Sequence, residues 1–141
     1  MTQSSIDDLL ETFELLDDWQ DRYGYLIELG RDLPPFPEEA RRAENKVKGC
    51  QSQVWLVAAP DSDDPSRLHF QADSDAHIAR GLVAILLTLF SGRTPREILD
   101  TDPRPVFSQL GLDKHLTMGR SNGLLSMVGK IKAIAAEAQG T

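Results

Sequence analysis

Lys46-Val47-Lys48-Gly49-Cys50-Gln51-Ser52-Gln53-Val54-Trp55-Leu56 reads as a short strand, a tight loop and the start of a longer strand. Cys50 is the chain's only cysteine, and it falls in the loop. Gly49 before it adopts positive φ without Cβ strain, so the backbone can turn sharply beside the sulfur. Lys46 and Lys48 stand within four residues of the thiol, and nearby positive charge favours thiolate over thiol. A lone cysteine is often a small buried hydrophobe kept for packing. Loops carry function more often than packing, so this loop nominates a reactive thiol and leaves the packing alternative open.

Outward from the loop, Val54–Ala59 is rich in β-branched and aromatic residues and predicts a strand. Pro60–Ser66, with Asp and Ser between two prolines, predicts a turn. Arg67–Ala72 alternates, with Leu68, Phe70 and Ala72 on one face, so the two strands form an antiparallel hairpin with one wet side. His69 belongs to that wet side. Asp73-Ser74-Asp75 predicts caps for a helix over 75–90, apolar nearly all round and therefore buried. Thr94-Pro95-Arg96-Glu97 and Asp102-Pro103 open two short helices, and Gly111 stops the second.

On the N-terminal side, Ser4-Ser5 precede a helix whose stripe is Ile6, Leu9, Leu10, Phe13 and Leu16. A second helix is predicted over 17–29, with Gly30 as its stop and with Trp19 and Tyr23 as core residues. Leu33-Pro34-Pro35-Phe36-Pro37 is an extended connector, and 38–44 predicts a short helical turn. Leu116–Ser121 predicts a connector carrying an isolated arginine, Arg120, before a last helix over 121–138. Two helices, a small antiparallel sheet of about three strands counting Lys46–Lys48, then helices on one face of the sheet make the fold class α+β. No repeat or linker divides the chain, so residues 1–141 are expected to form one domain.

The composition narrows the function. The chain is 40% hydrophobic and 26% charged with a net charge of −7, which disfavours non-specific nucleic-acid binding and anionic membrane surfaces. One cysteine forms no internal disulfide, the start is polar and acidic, and the longest uncharged runs, 49–60 and 81–92, are far short of the roughly 18 apolar residues of a membrane span. A soluble, cytoplasmic protein is expected. His69, His77 and His115 are scattered without ligand spacing, so no metal site is expected. Gly81, Gly92 and Gly111 form no phosphate-cradling motif. A cysteine–histidine hydrolase using His77 or His115, and a stand-alone thiol peroxidase, both remain open on residue content.

Gly49-Cys50-Gln51-Ser52-Gln53-Val54-Trp55-Leu56 resembles the signature of the SufE-type sulfur acceptors. The likeness continues through Trp19, Tyr23–Gly30, Leu33-Pro34, Asp73–Ala76, Arg80-Gly81-Leu82, His115-Leu116-Thr117 and Arg120–Leu124, nearly the whole chain. Gln51-Ser52-Gln53 is closer to SufE than to its relative CsdE. The resemblance implies a SufE/IscU-like fold and a sulfurtransferase step in iron–sulfur cluster assembly. It implies that Cys50 accepts persulfide sulfur from a SufS-type cysteine desulfurase, stimulates that enzyme, and passes the sulfur to a SufBCD-type scaffold. Pyridoxal phosphate would belong to the desulfurase. The chain itself would carry no cofactor beyond a transient persulfide, and would act as an accessory rather than a stand-alone enzyme. Lys48, Gly49, Gln51, Ser52, Asp75 and Arg120 become candidate loop-supporting or partner-contacting residues. Asp75 also has a simpler reading as a helix start, and Arg120 as a surface ion-pair partner. The resemblance allows a homodimer, and a purely regulatory subunit of a desulfurase is the alternative from the binding class.

Overall fold

The computed structural model describes residues 2–49 and 52–140. Its order is α1 (Thr2–Leu15), α2 (Trp19–Arg31), two single 3-10 turns (Glu38–Ala40 and Ala43–Asn45), β1 (Val54–Pro60), β2 (Leu68–Ser74), α3 (His77–Phe90), α4 (Pro95–Asp100), α5 (Arg104–Gln109), α6 (Leu112–His115) and α7 (Met118–Gly140). The architecture is α+β, as the hydrophobic periodicity predicts.

The sheet among the described residues is the β1–β2 hairpin alone, antiparallel, with Val54 opposite Ser74 and Pro60 opposite Leu68. The expected third strand at Lys46–Lys48 contracts to one isolated bridge, Lys46 to Trp55. A 3-10 turn ends at Asn45 and Gly49 bends the chain away at φ +88°, so only one residue has room to pair. Leu68, Phe70 and Ala72 are buried while His69 is exposed, which is the predicted alternation. The strand also runs two residues further than its pattern suggests, through Asp73 and Ser74.

Helix α3 packs against β2, α1 and α2, with Leu82, Val83, Ile85, Leu86, Leu89 and Phe90 buried. Each such side chain removed from water is worth about 1.5–3 kcal/mol, so this helix is the organising element of the core. Its crossing with α2 is set by two glycines. A Cβ on Gly30 would stand 2.8 Å from Arg80 Cβ, and a Cβ on Gly81 would collide with the Leu26 carbonyl. Gly30 is therefore a buried helix-crossing residue and not the stop that its position in the sequence suggests; α2 continues to Arg31.

The half-buried rings of Trp19 and Tyr25 pack edge to face on Phe13, Tyr23 packs likewise on Trp19, and the Arg22 guanidinium lies over Phe13 and Trp19. Thr94 and Glu97 form the predicted reciprocal cap of α4. The predicted connector 116–121 is a correction: α6 ends at His115 and α7 already begins at Met118, running through Gly119, Gly123 and Gly129. Burial of Leu124, Met127, Val128 and Ile131 outweighs the roughly 1 kcal/mol helix cost of each glycine. Among the described residues, no helix is long and apolar enough to cross a membrane.

Candidate functional site

The backbone N–H of Val47 donates to the Val54 carbonyl at 2.9 Å, closing the base of a loop over residues 48–53. The described shoulders of that loop lie against different parts of the fold. Gly49 sits at φ +88°, and a Cβ there would lie 2.5 Å from Ser126 Oγ on α7. The left-handed backbone selects glycine here, since the Ser126 hydroxyl can rotate aside. Ser52 Oγ accepts a hydrogen bond from Arg120 Nη1 at 2.9 Å. Arg120 lies in the first turn of α7, where its own N–H faces Thr117 Oγ1 at 3.3 Å. The isolated arginine of the sequence is therefore a loop partner delivered by a helix terminus.

The last shoulder is held by the segment after β2. The Gln53 N–H donates to Asp75 Oδ1 at 3.0 Å, and its Nε2 approaches Asp75 Oδ2 at 3.4 Å. In return, the Asp75 N–H and the Ser74 hydroxyl donate to the Gln53 carbonyl at 3.2 and 2.7 Å. Asp75 thus extends the strand ladder past Val54 and Ser74. This corrects its reading as a cap: the residue at the N-cap of α3 is Ala76, which has no side-chain cap. The loop's amide wins the carboxylate because the β2 register places Asp75 beside Gln53.

Asp73 is likewise no cap. It is a buried strand residue whose Oδ2 accepts from Arg41 Nη2 at 2.6 Å. Its Oδ1 lies 3.0 Å from Arg80 Nε, an ion contact without aligned hydrogen-bond geometry. Arg41 is stacked between Phe36 and Trp55, 5.4 and 5.1 Å from the ring centres, and Asp73 holds its guanidinium pKa above the usual value chiefly through their hydrogen bond. The network fastens the proline-rich connector onto the sheet beside the loop. Sequence reasoning missed Arg41, Arg80 and Ser126. Arg41 stands 32 positions from Asp73, and no local pattern announces such a pairing.

Beneath Ser52 lies a gap of about 10 Å³ walled by Val54, Ala79, Leu82, Gly123 and Met127, at the lower limit for one water. On the other side of the loop, an open groove of about 740 Å³ is lined by Lys46, Lys48 and Lys130 with Glu44 and Ser126. Lys48 is exposed. The structure therefore gathers Gly49, Ser52, Asp75 and Arg120 around one loop, with Lys48 on its outer side. The expectations for Cys50 and Gln51 concern positions outside the described residues. His69 and His77 are both exposed. Among the described residues, no three His, Cys, Asp or Glu side chains cluster as metal ligands would. Among the described residues, the arrangement is a loop hydrogen-bonded at its base and at Ser52 and Gln53, with Lys46 and Lys48 leading into it.

The family model described as SufE, Fe-S metabolism associated domain, matches residues 7–135. An uncharacterized SufE-like protein of Rhizobium meliloti (strain 1021) is 51% identical over 139 residues, spanning 97% of this chain and 96% of its own. A second uncharacterized SufE-like protein, from Rhizobium etli, is 52% identical over 131 residues, spanning 92% of this chain and 88% of its own. The solution structure of a hypothetical protein from Thermus thermophilus superposes with a TM-score of 0.75 over 96% of both chains at 20% identity, a likeness of fold.

Proposed function

Because the chain belongs to the SufE family, whose domain is associated with Fe–S metabolism, we propose that Cys50 is a transient carrier of sulfane sulfur. The donor is a SufS-type cysteine desulfurase, which strips sulfur from free cysteine with its own pyridoxal phosphate and holds it as a persulfide. The Cys50 thiolate attacks the outer sulfur of that persulfide. A new S–S bond forms on Cys50, the donor's S–S bond breaks, and the desulfurase thiolate leaves with the electron pair. Nothing is oxidised or reduced overall. Removing the persulfide frees the desulfurase for another turnover, which is how the acceptor stimulates it. The same exchange in reverse roles delivers the sulfur to a SufBCD-type scaffold.

The observation that carries this reading is the loop around the chain's single cysteine, closed at its base by the Val47–Val54 hydrogen bond and held after the cysteine by Arg120 and Asp75. An absent second thiol leaves no internal route by which a persulfide is lost as a disulfide. The Arg120–Ser52 contact is the tie that gives way when a partner takes the sulfur.

The test is an intact-mass measurement after incubation with a SufS-type desulfurase and cysteine. A gain of one sulfur atom that disappears in Cys50→Ser is the expected result. Stimulation of the desulfurase that survives Cys50→Ser would replace the carrier with a regulatory subunit. Turnover of peroxide or ester without any partner would replace it with a stand-alone thiol enzyme.

A further inference from the structure

The chain carries a net charge of −7, yet three of its five lysines, Lys46, Lys48 and Lys130, line one groove. They arrive from two unrelated elements. Lys46 and Lys48 lead into the loop, and Lys130 follows Ser126 by one turn on the same side of α7. None of the three makes an ion pair among the described residues, whereas the groove's acid, Glu44, faces Arg42 at 3.7 Å. Ala43 and Val47 supply the apolar part of the lining, against which lysine stems can lie. Unpaired cations collected against the sign of the whole molecule raise the local potential and steer anionic partners to this edge.

We propose that the groove docks an acidic segment of the protein that exchanges sulfur with Cys50. This rests on the carrier reading. An open groove of about 740 Å³ gives a small ligand too little enclosure, since small-molecule sites bury most of their ligand. An extended chain needs no roof, and its carboxylates can pair with lysines from both lining elements. Because Lys48 is two residues from Cys50, a partner held here is already beside the loop. The consequence is a salt-sensitive encounter between two proteins, even though this one is acidic overall.

The test has two arms. In the first, a fluorescein-labelled glutamate-rich peptide of about ten residues is titrated with the full chain by anisotropy, at low and high salt. Lys46→Glu with Lys130→Glu is expected to weaken binding roughly fivefold or more at low salt, and high salt is expected to erase the difference. Lys46→Gln with Lys130→Gln should give a smaller loss in the same direction. A matched control, Arg31→Glu with Lys114→Glu, changes net charge equally at a distance and should bind as the parent does. Equal weakening by the control, no effect of either groove pair, or displacement of the peptide by an equal concentration of free aspartate overturns the proposal.

In the second arm, sulfur loading of Cys50 is timed with a SufS-type desulfurase and with a small-molecule polysulfide. Slower loading by the protein alone in the groove variants supports docking. Loading by the protein at the parental rate overturns it. Failure of the parent to load from either donor sinks the carrier reading instead, while the peptide arm still decides the groove.

Discussion

Arg120 Nη1 donates to Ser52 Oγ at 2.9 Å, joining the first turn of α7 to the shoulder of the cysteine loop across 68 positions of sequence. A hydrogen bond from a charged donor in a partly buried place is worth about 1–2 kcal/mol. Arg120→Ala and Ser52→Ala should each speed amide exchange at Ser52 and Gln53 by roughly tenfold, and the double variant should add little. Independent, additive effects would show that the two side chains do not hold the loop together.

Asp75 gives a sharper test of register. Asp75→Ala should loosen the Gln53 amide by about 1 kcal/mol, read as roughly fivefold faster exchange, while Asp75→Asn keeps most of the protection. Amides in the first turn of α3 should stay as they are. If instead α3 frays and Gln53 is unchanged, the carboxylate is a helix cap after all.

Gly49→Ala should cost about 1–2 kcal/mol in urea denaturation, the penalty for a Cβ in the left-handed region. The Ser126 hydroxyl can rotate away from the added methyl, so Ser126→Ala should not rescue the loss. Full rescue would mean that contact with α7, rather than backbone conformation, selects glycine.

The Asp73 network predicts a larger effect. Asp73→Ala leaves two guanidinium groups, each more than two-thirds buried, without the acid they share. A fully buried pair broken this way costs about 3–5 kcal/mol, and partial exposure of both arginines lowers the expected loss to about 2–3 kcal/mol. Removing Arg41 should also detach the connector from Trp55, visible as a shift in tryptophan fluorescence. A loss below about 0.5 kcal/mol would mean that solvent already screens the pair.

Acid titration offers a check on the surface next to α7. Hydrogen bonds from the Arg104 side chain and backbone hold the Asp102 carboxyl at about 2, below its ordinary 3.8. A depressed folded-state value means that the group stabilises the fold above pH 3.8 and that this contribution fades as pH falls toward 2. Carbon-13 NMR of the Asp102 carboxyl should show the low midpoint, and Arg104→Ala should raise it toward 3.8. An unchanged midpoint in that variant would remove Arg104 as the cause.

Much of this architecture is legible in the order of residues. The alternation of Leu68, Phe70 and Ala72 declares the hairpin, and the nearly all-apolar run of α3 declares its burial, because side-chain period follows local backbone geometry. The sequence also nominates Cys50, Ser52, Asp75 and Arg120 without saying why the last two matter. Its errors are equally local. Asp73 and Asp75 have the composition of caps, Gly30 that of a stop, and Gly119 that of a connector.

Each of those residues is claimed by a partner distant in the chain: Arg41 and Arg80 take Asp73, Gln53 takes Asp75, Gly81 crosses Gly30, and the buried face of α7 overrides Gly119. By itself, then, the sequence determined the elements, the fold class and the identity of the thiol, because periodicity and turn chemistry act over a few neighbouring residues. Only the tertiary structure decided which side chains brace the loop and which lysines face one groove. Those depend on distances between segments that packing alone brings together.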